Sequence, residues 1–168
     1  QAYAVSDALK RSDDPLDHYT EKSVAECLQG IGVDYEVRFG HCTTPSPVAM
    51  QQLAEVAGLA ELTPAHLSVH PIYGPWIALR AAVVFDLDEH IETTLLRNVC
   101  DRDTIRACQE AFERARLMTQ GRGHEAIRET WEAWLAVRDA CGVGRAYRYS
   151  DNQIGYHYTH ERRFLVDV

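Results

Sequence analysis

The densest apolar run in the chain, Trp76 to Phe85, is broken by a single charge, Arg80. Read as a strand, it is apolar on both faces. Trp76, Ala78, Ala82 and Val84 line one side, and Ile77, Leu79, Ala81, Val83 and Phe85 line the other. A strand buried on both faces sits inside its sheet, with neighbours on either side. The run therefore predicts an interior strand with the core built around it. It is too short to cross a bilayer, which takes about 18–20 apolar residues, so no membrane partner is expected. A chain of 168 residues has the length of one domain. Surface scaling has such a chain burying about 70% of its unfolded surface, enough for a core without staples. One domain over 1–168 is the expectation, with room for a shortened N-terminal end because the chain opens on Gln1.

The formal net charge is −8, from 17 basic and 25 acidic residues. A nucleic-acid binder carries a basic footprint, and none is visible, so no nucleic-acid partner is expected. The basic residues are almost all arginine, with Lys10 and Lys22 the only lysines. The five cysteines, Cys27, Cys42, Cys100, Cys108 and Cys141, are odd in number and lack CxxC spacing. That argues against a disulfide framework and against a zinc knuckle, and it suits a reducing, cytoplasmic setting. Gln1 to Asp7 lack the charged start and apolar stretch of a secretory leader.

The local signals predict an α+β chain with a helix-rich C-terminal half. Pro15 to Gln29 reads as a helix, with Asp13 or Asp14 to cap it, Pro15 in its first turn and Gly30 at its end. Val33 to Phe39 alternates as a half-buried strand does. Ser46 and Pro47 open a second helix, striped by Val48, Gln52, Leu53 and Val56 and ending near Gly58. Leu67 to Val69 reads as a strand, joined to the apolar run by a turn at Pro71–Pro75. Beyond Asp86 the pattern predicts helices over Leu87–Val99, Asp101–Met118 and Glu125–Ala140. Ile105, Cys108, Phe112 and Ala115 share a face of the second. Ile127, Trp131, Trp134 and Leu135 form the apolar stripe of the third, which Gly142 and Gly144 end. The tail from Tyr147 to Leu165 is rich in Tyr, His and Arg.

Two arginines stand out because their neighbours are apolar. A buried guanidinium without a partner is costly, so Arg80 must meet either a carboxylate of the fold or an anionic ligand. Arg138 falls on the same helical face as Ile127, Trp131 and Trp134. There it either snorkels past the core edge or reaches into a pocket. The pairs His66–His70 and His157–His160 are read as solvated or capping residues, and no metal ligand is assigned. Cys141, just before Gly142, is read as a small buried residue. No catalytic side chain is assigned.

The stretch LAEVAGLAELTPAHLSVHPIYGPWIALRAAVVFD, Leu53 to Asp86, resembles the corrinoid-dependent reductases. The matching elements are Ala57–Leu59, His70–Pro71, Gly74, Trp76 and the apolar strand behind them. Arg80, four residues after Trp76, makes the stretch most similar to MMACHC-like cobalamin-processing proteins. A second match runs through Trp131, Trp134, Arg138–Asp139, Arg148-Tyr149-Ser150, Gln153, Tyr156 and an arginine at 162 or 163.

The resemblance implies a flavin-nitroreductase-like antiparallel sheet with flanking helices. It implies binding of cobalamin or a related corrinoid and reductive removal of its upper axial ligand, with FMN, FAD or glutathione in support. The alternatives are a non-catalytic corrinoid-binding or storage module and a small flavin-dependent reductase. By position, His70, Tyr73, Gly74, Trp76, Arg80 and Tyr149 would contact the corrinoid. Arg80, Arg138 and Arg163 (or Arg162) would hold a thiol's carboxylates, with Arg80 and Arg138 facing one cavity. The partner is a small-molecule corrinoid, and the resemblance leaves room for a homodimer. The CxxCxxCxxxCP pattern of the iron–sulfur branches is missing, so no cluster is expected.

Overall fold

The computed structural model describes residues 13–88, 92–120, 122 and 125–165. In chain order the elements are α1 (Pro15–Leu28), β1 (Tyr35–Phe39), α2 (Met50–Val56), β2 (Glu61–Leu62), β3 (Ser68–Val69), β4 (Ala81–Phe85), α3 (Arg102–Thr119), α4 (Glu125–Glu129), α5 (Trp131–Asp139) and α6 (Asp151–Thr159). Short 3-10 turns follow at Arg145–Tyr147 and Arg162–Phe164. The chain is α+β, and its described residues divide into two compact units. One takes 13–53, 78–88 and 92–93; the other takes 54–77, 94–120, 122 and 125–165.

In the first unit, α1 starts where Pro15 supplies a preset φ at the first helical position, and Asp14 sits at the N-cap without a side-chain bond. β1 pairs antiparallel with β4, with Val37 opposite Val83. This two-stranded ladder corrects the expectation of an interior strand over Trp76–Phe85. Only Ala81–Phe85 is strand, and among the described residues it has one neighbour. Ala81–Val83 are half-buried and Val84 and Phe85 are exposed, Val84 at 62%. The apolar run is also divided between the units, since Trp76 and Ile77 belong to the second and Ala78–Phe85 to the first.

The second unit holds a dry core of small side chains. Ala65, Val69, Cys100, Cys108, Ala111, Ala115, Val137 and Cys141 are buried together. Cys108, Ala111 and Ala115 follow the i, i+3, i+7 spacing of one helical face, and their size lets α3 and α5 pack closely. Asp101 caps α3 by accepting a bond from Thr104 N–H at 2.7 Å. β2 and β3 form a separate antiparallel pair.

Three helix expectations need correction, the first being that α2 begins at Met50 and not at Pro47. The predicted helix over Leu87–Val99 is absent in its described residues 87–88 and 92–99. There Arg97 reaches Glu55 at 2.9 Å and Val99 N–H donates to Glu61 at 2.7 Å, so contacts distant in sequence fix the end of the segment. Glu125–Ala140 is two helices, broken at Thr130. Within the tail, α6 is started by a capping box in which Ser150 and Gln153 bond each other's backbone. Among the described residues no helix is long and apolar enough to cross a membrane.

Candidate functional site

The segment from His70 to Trp76 is a tight loop built by its own residues. The His70 and Gly74 backbones bond each other at 2.9 and 2.8 Å. His70 Nδ1 accepts from Ile72 N–H at 3.0 Å and Tyr73 N–H at 3.3 Å, so the imidazole organises the turn. Gly74 has φ +61, and a Cβ there would collide with the Val143 carbonyl. Gly144, at φ +70, approaches Tyr73 and Gly74 just as closely. Two glycine turns therefore interlock, and they fix Trp76 against the segment that follows α5.

Trp76 is 5% exposed. The Arg138 guanidinium lies 5.3 Å from the Trp76 ring centroid and 5.5 Å from that of Tyr149. Arg148 lies 5.6 Å from the Trp76 ring, and Tyr149 meets it edge-on at 5.6 Å. Arg148 is occupied by Asp139, at 2.8 and 3.3 Å, and by Asp151 at 3.3 Å. The hydrogen bonds it donates to Asp139 push its pKa further up. Arg138 donates to the Ile77 carbonyl at 3.4 Å and contacts Tyr158. Burial pushes the Tyr158 hydroxyl up, while the charge and hydrogen bond of Arg138 oppose the shift. Arg138 Nη1 and the indole nitrogens of Trp76 and Trp134 are buried without hydrogen-bond partners among the described residues.

Beside Trp76 lies a cavity of about 320 Å³, lined also by Asp139, Cys141, Arg145 and Arg148. Arg138 adjoins it through Trp76. Cys141 is the centre of a buried thiol cluster with Cys100 and Cys108.

The expected residues separate accordingly. Tyr73, Gly74, Trp76, Arg138 and Tyr149 come together in the second unit. His70 belongs there too, with one ring nitrogen engaged by the turn. Arg80 belongs to the first unit and pairs with Asp17 at 3.4 Å, so each of the two arginines finds its partners inside its own unit. Arg163 pairs with Glu161 at 2.6 Å and is 70% exposed. The expectations missed Arg145 and Cys141 as cavity walls. The signal was present as Cys141-Gly-Val-Gly-Arg145, a thiol and a cation bracketing a glycine turn. Among the described residues no three His, Cys, Asp or Glu side chains are arranged to hold a metal ion. Compared with known proteins, the chain matches no family model, no curated protein and no solved structure.

Proposed function

We propose that the second unit binds a small ligand rich in hydrogen-bond acceptors, and that this ligand is a corrinoid of the cobalamin type, held by its amide or phosphate rim. The observation that carries the reading is a pair of orphaned donors, Arg138 Nη1 and Trp76 Nε1, on two side chains stacked on each other, of which Trp76 lines the cavity. Both groups only donate. Each buried unpaired donor costs about 1–3 kcal/mol, which a ligand carbonyl, carboxylate or phosphate oxygen would relieve.

The residues fit the polar edge of such a ligand and not a whole macrocycle, because about 320 Å³ lies at the small end of ligand sites. Trp76 offers an apolar wall, and Arg138 supplies a planar fork whose orientation the Trp76 and Tyr149 rings fix. A bound corrinoid would supply redox chemistry at its cobalt, with a flavin or thiol as reductant. The chain's part is to bind and orient. A nitroreductase-like arrangement belongs to the same proposal, supported by the purely antiparallel pairing and the helix-rich C-terminal half.

Titration of the protein with cobinamide and with hydroxocobalamin, followed in the visible spectrum, tests the reading. A saturable band shift is expected. Loss of the upper ligand on adding reduced glutathione or reduced FMN marks an enzyme, and retention marks a storage module. A folded protein that shifts neither spectrum ends the corrinoid reading, and tight uptake of FMN alone would replace it with a flavin reductase.

A further inference from the structure

Three thiols from separate places meet in the core, and one of them, Cys141, also lines the cavity. Cys100 lies just before α3, Cys108 on α3, and Cys141 just after α5. They are 4%, 2% and 1% exposed. Cys100 Sγ is 3.8 Å from Cys141 Sγ, and Cys108 also hydrogen-bonds to Cys141. Cys141 is thus the thiol that both others meet, and either sulfur of the Cys100–Cys141 pair can donate. Hydrogen bonds from Cys100 and Cys108 hold its thiol below the usual range, helped by Val143 N–H and the Arg145 charge and opposed by burial. Donating those bonds, together with burial, pushes Cys100 and Cys108 up. Although buried, Cys141 is a lining residue of the cavity, so a small molecule has a way to it. Arg145 lines the same cavity and has no ion pair among the described residues, whereas Arg148 is occupied by Asp139 and Asp151.

We propose that Cys141 and Cys100 form a dithiol–disulfide couple that exchanges with small, carboxylate-bearing disulfides entering the cavity. The Cys141 thiolate attacks one sulfur of the substrate disulfide. The substrate S–S bond breaks, and one thiolate leaves and takes a proton from solvent. Cys100, on losing its proton to solvent, attacks Cys141 Sγ in the mixed disulfide. The Cys100–Cys141 bond forms and the second substrate thiolate leaves, again to be protonated. In sum, two protein thiols are oxidised to one disulfide and one small disulfide is reduced to two thiols. The two sulfurs must close from 3.8 Å to about 2.05 Å, and Cys108 stays a thiol throughout. Arg145 is the cation left to meet the substrate carboxylate. The couple uses the cavity assigned above and does not require that its ligand be a corrinoid.

The test uses the full chain carrying Cys27→Ser and Cys42→Ser, since both of those thiols are exposed. Reduced protein is mixed with oxidised glutathione or with the dicationic disulfide cystamine, quenched in acid and mapped by mass spectrometry. The expected product has lost two hydrogens and carries a Cys100–Cys141 link, formed several-fold faster with oxidised glutathione. Added Cys100→Ala should stop the reaction at a glutathione adduct on Cys141, and added Arg145→Gln should erase the preference for the anionic disulfide. The pH profile should place Cys141 reaction below that of free glutathione, with Cys100, Cys108, Glu61, Asp139, Arg145 and Arg148 as the groups that face or surround it. A Cys141 that stays a thiol in the folded protein, or a link that joins Cys100 to Cys108, overturns the couple. A faster reaction with cystamine overturns the carboxylate preference. Corrinoid titration of the same protein is a separate reading: exchange without corrinoid binding removes only the corrinoid, and corrinoid binding without exchange removes only the couple.

Discussion

Arg80 and Arg138 pose the same problem, a guanidinium among apolar neighbours, and the two units answer it differently. In the first unit Arg80 meets Asp17 at 3.4 Å, and their side chains remain 36% and 26% exposed. Asp17 is shared with His41 at 3.6 Å, and His41 also meets Glu21 at 2.9 Å. The charge is balanced within the fold and part of it stays wet. In the second unit Arg138 has two aromatic faces, a carbonyl and the Tyr158 hydroxyl, and one of its nitrogens has no hydrogen-bond partner among the described residues. A partly solvated ion pair forms and breaks at little cost. A guanidinium on aromatic faces keeps its charge for something else while shielded from water. Apolar neighbours in the sequence therefore do not say whether a charge is closed by the fold or held open for a ligand.

The packing of the two units differs as sharply, and two glycines measure it. Gly30 in the first unit and Gly74 in the second have φ +82 and +61. A Cβ at Gly30 meets nothing within 4 Å, so Gly30→Ala should cost only left-handed strain, about 1–2 kcal/mol. A Cβ at Gly74 meets the Val143 carbonyl, and Gly74→Ala should cost about 2–5 kcal/mol from strain and overpacking together. Urea midpoints for the two variants give the comparison directly. Equal costs would mean that the glycine interlock yields easily and does not hold Trp76 in place.

Next in size is Arg138→Gln. It removes a charge-assisted contact, about 1.5–3 kcal/mol, so corrinoid affinity should fall by about one to two decades. Folding stability should change by less than about 1 kcal/mol, because no carboxylate is left behind. Arg138→Lys should recover part of the affinity, having charge without the planar fork. A large loss of stability with affinity intact would give Arg138 the structural role that Arg80 has.

The fold was legible where a single residue fixes the backbone. Pro15 and Asp101 announced α1 and α3, and both begin there. α6 carried an equally clear signal in Ser150-x-x-Gln153, which the aromatic and basic content of the tail obscured. Ser150→Ala should cost about 1 kcal/mol, read as a lowered urea midpoint; no change would make the cap incidental. The false helix over Leu87–Val99 had apolar spacing without a cap, and Thr93–Thr94 favour it weakly. Contacts of Arg97 with Glu55 and of Val99 with Glu61 decide that segment, across 42 and 38 residues of sequence. Within the site, Trp76 and Arg138 were legible as aromatic and cationic residues out of place. The thiol cluster was not, because positions 100, 108 and 141 become neighbours only once α3 and α5 pack.

The smallest expected effect is also the one that most directly tests the opening contrast. Arg80→Ala removes a pair whose partners are both partly solvated, and such pairs contribute about 0–1 kcal/mol. Asp17 is not left isolated by the change, since His41 still lies 3.6 Å from it. The urea midpoint should therefore barely move, and Asp17→Asn should behave alike, because each variant removes one member of the same weak pair. The double variant should then equal the sum of the singles to within about 0.5 kcal/mol, as for groups with little coupling. Corrinoid affinity should also be unchanged, because the Arg80 fork already has its carboxylate and Arg138 does not. A decade of affinity lost in Arg80→Ala, with stability intact, would place Arg80 beside Arg138 as a ligand-holding cation and break the contrast between the two units.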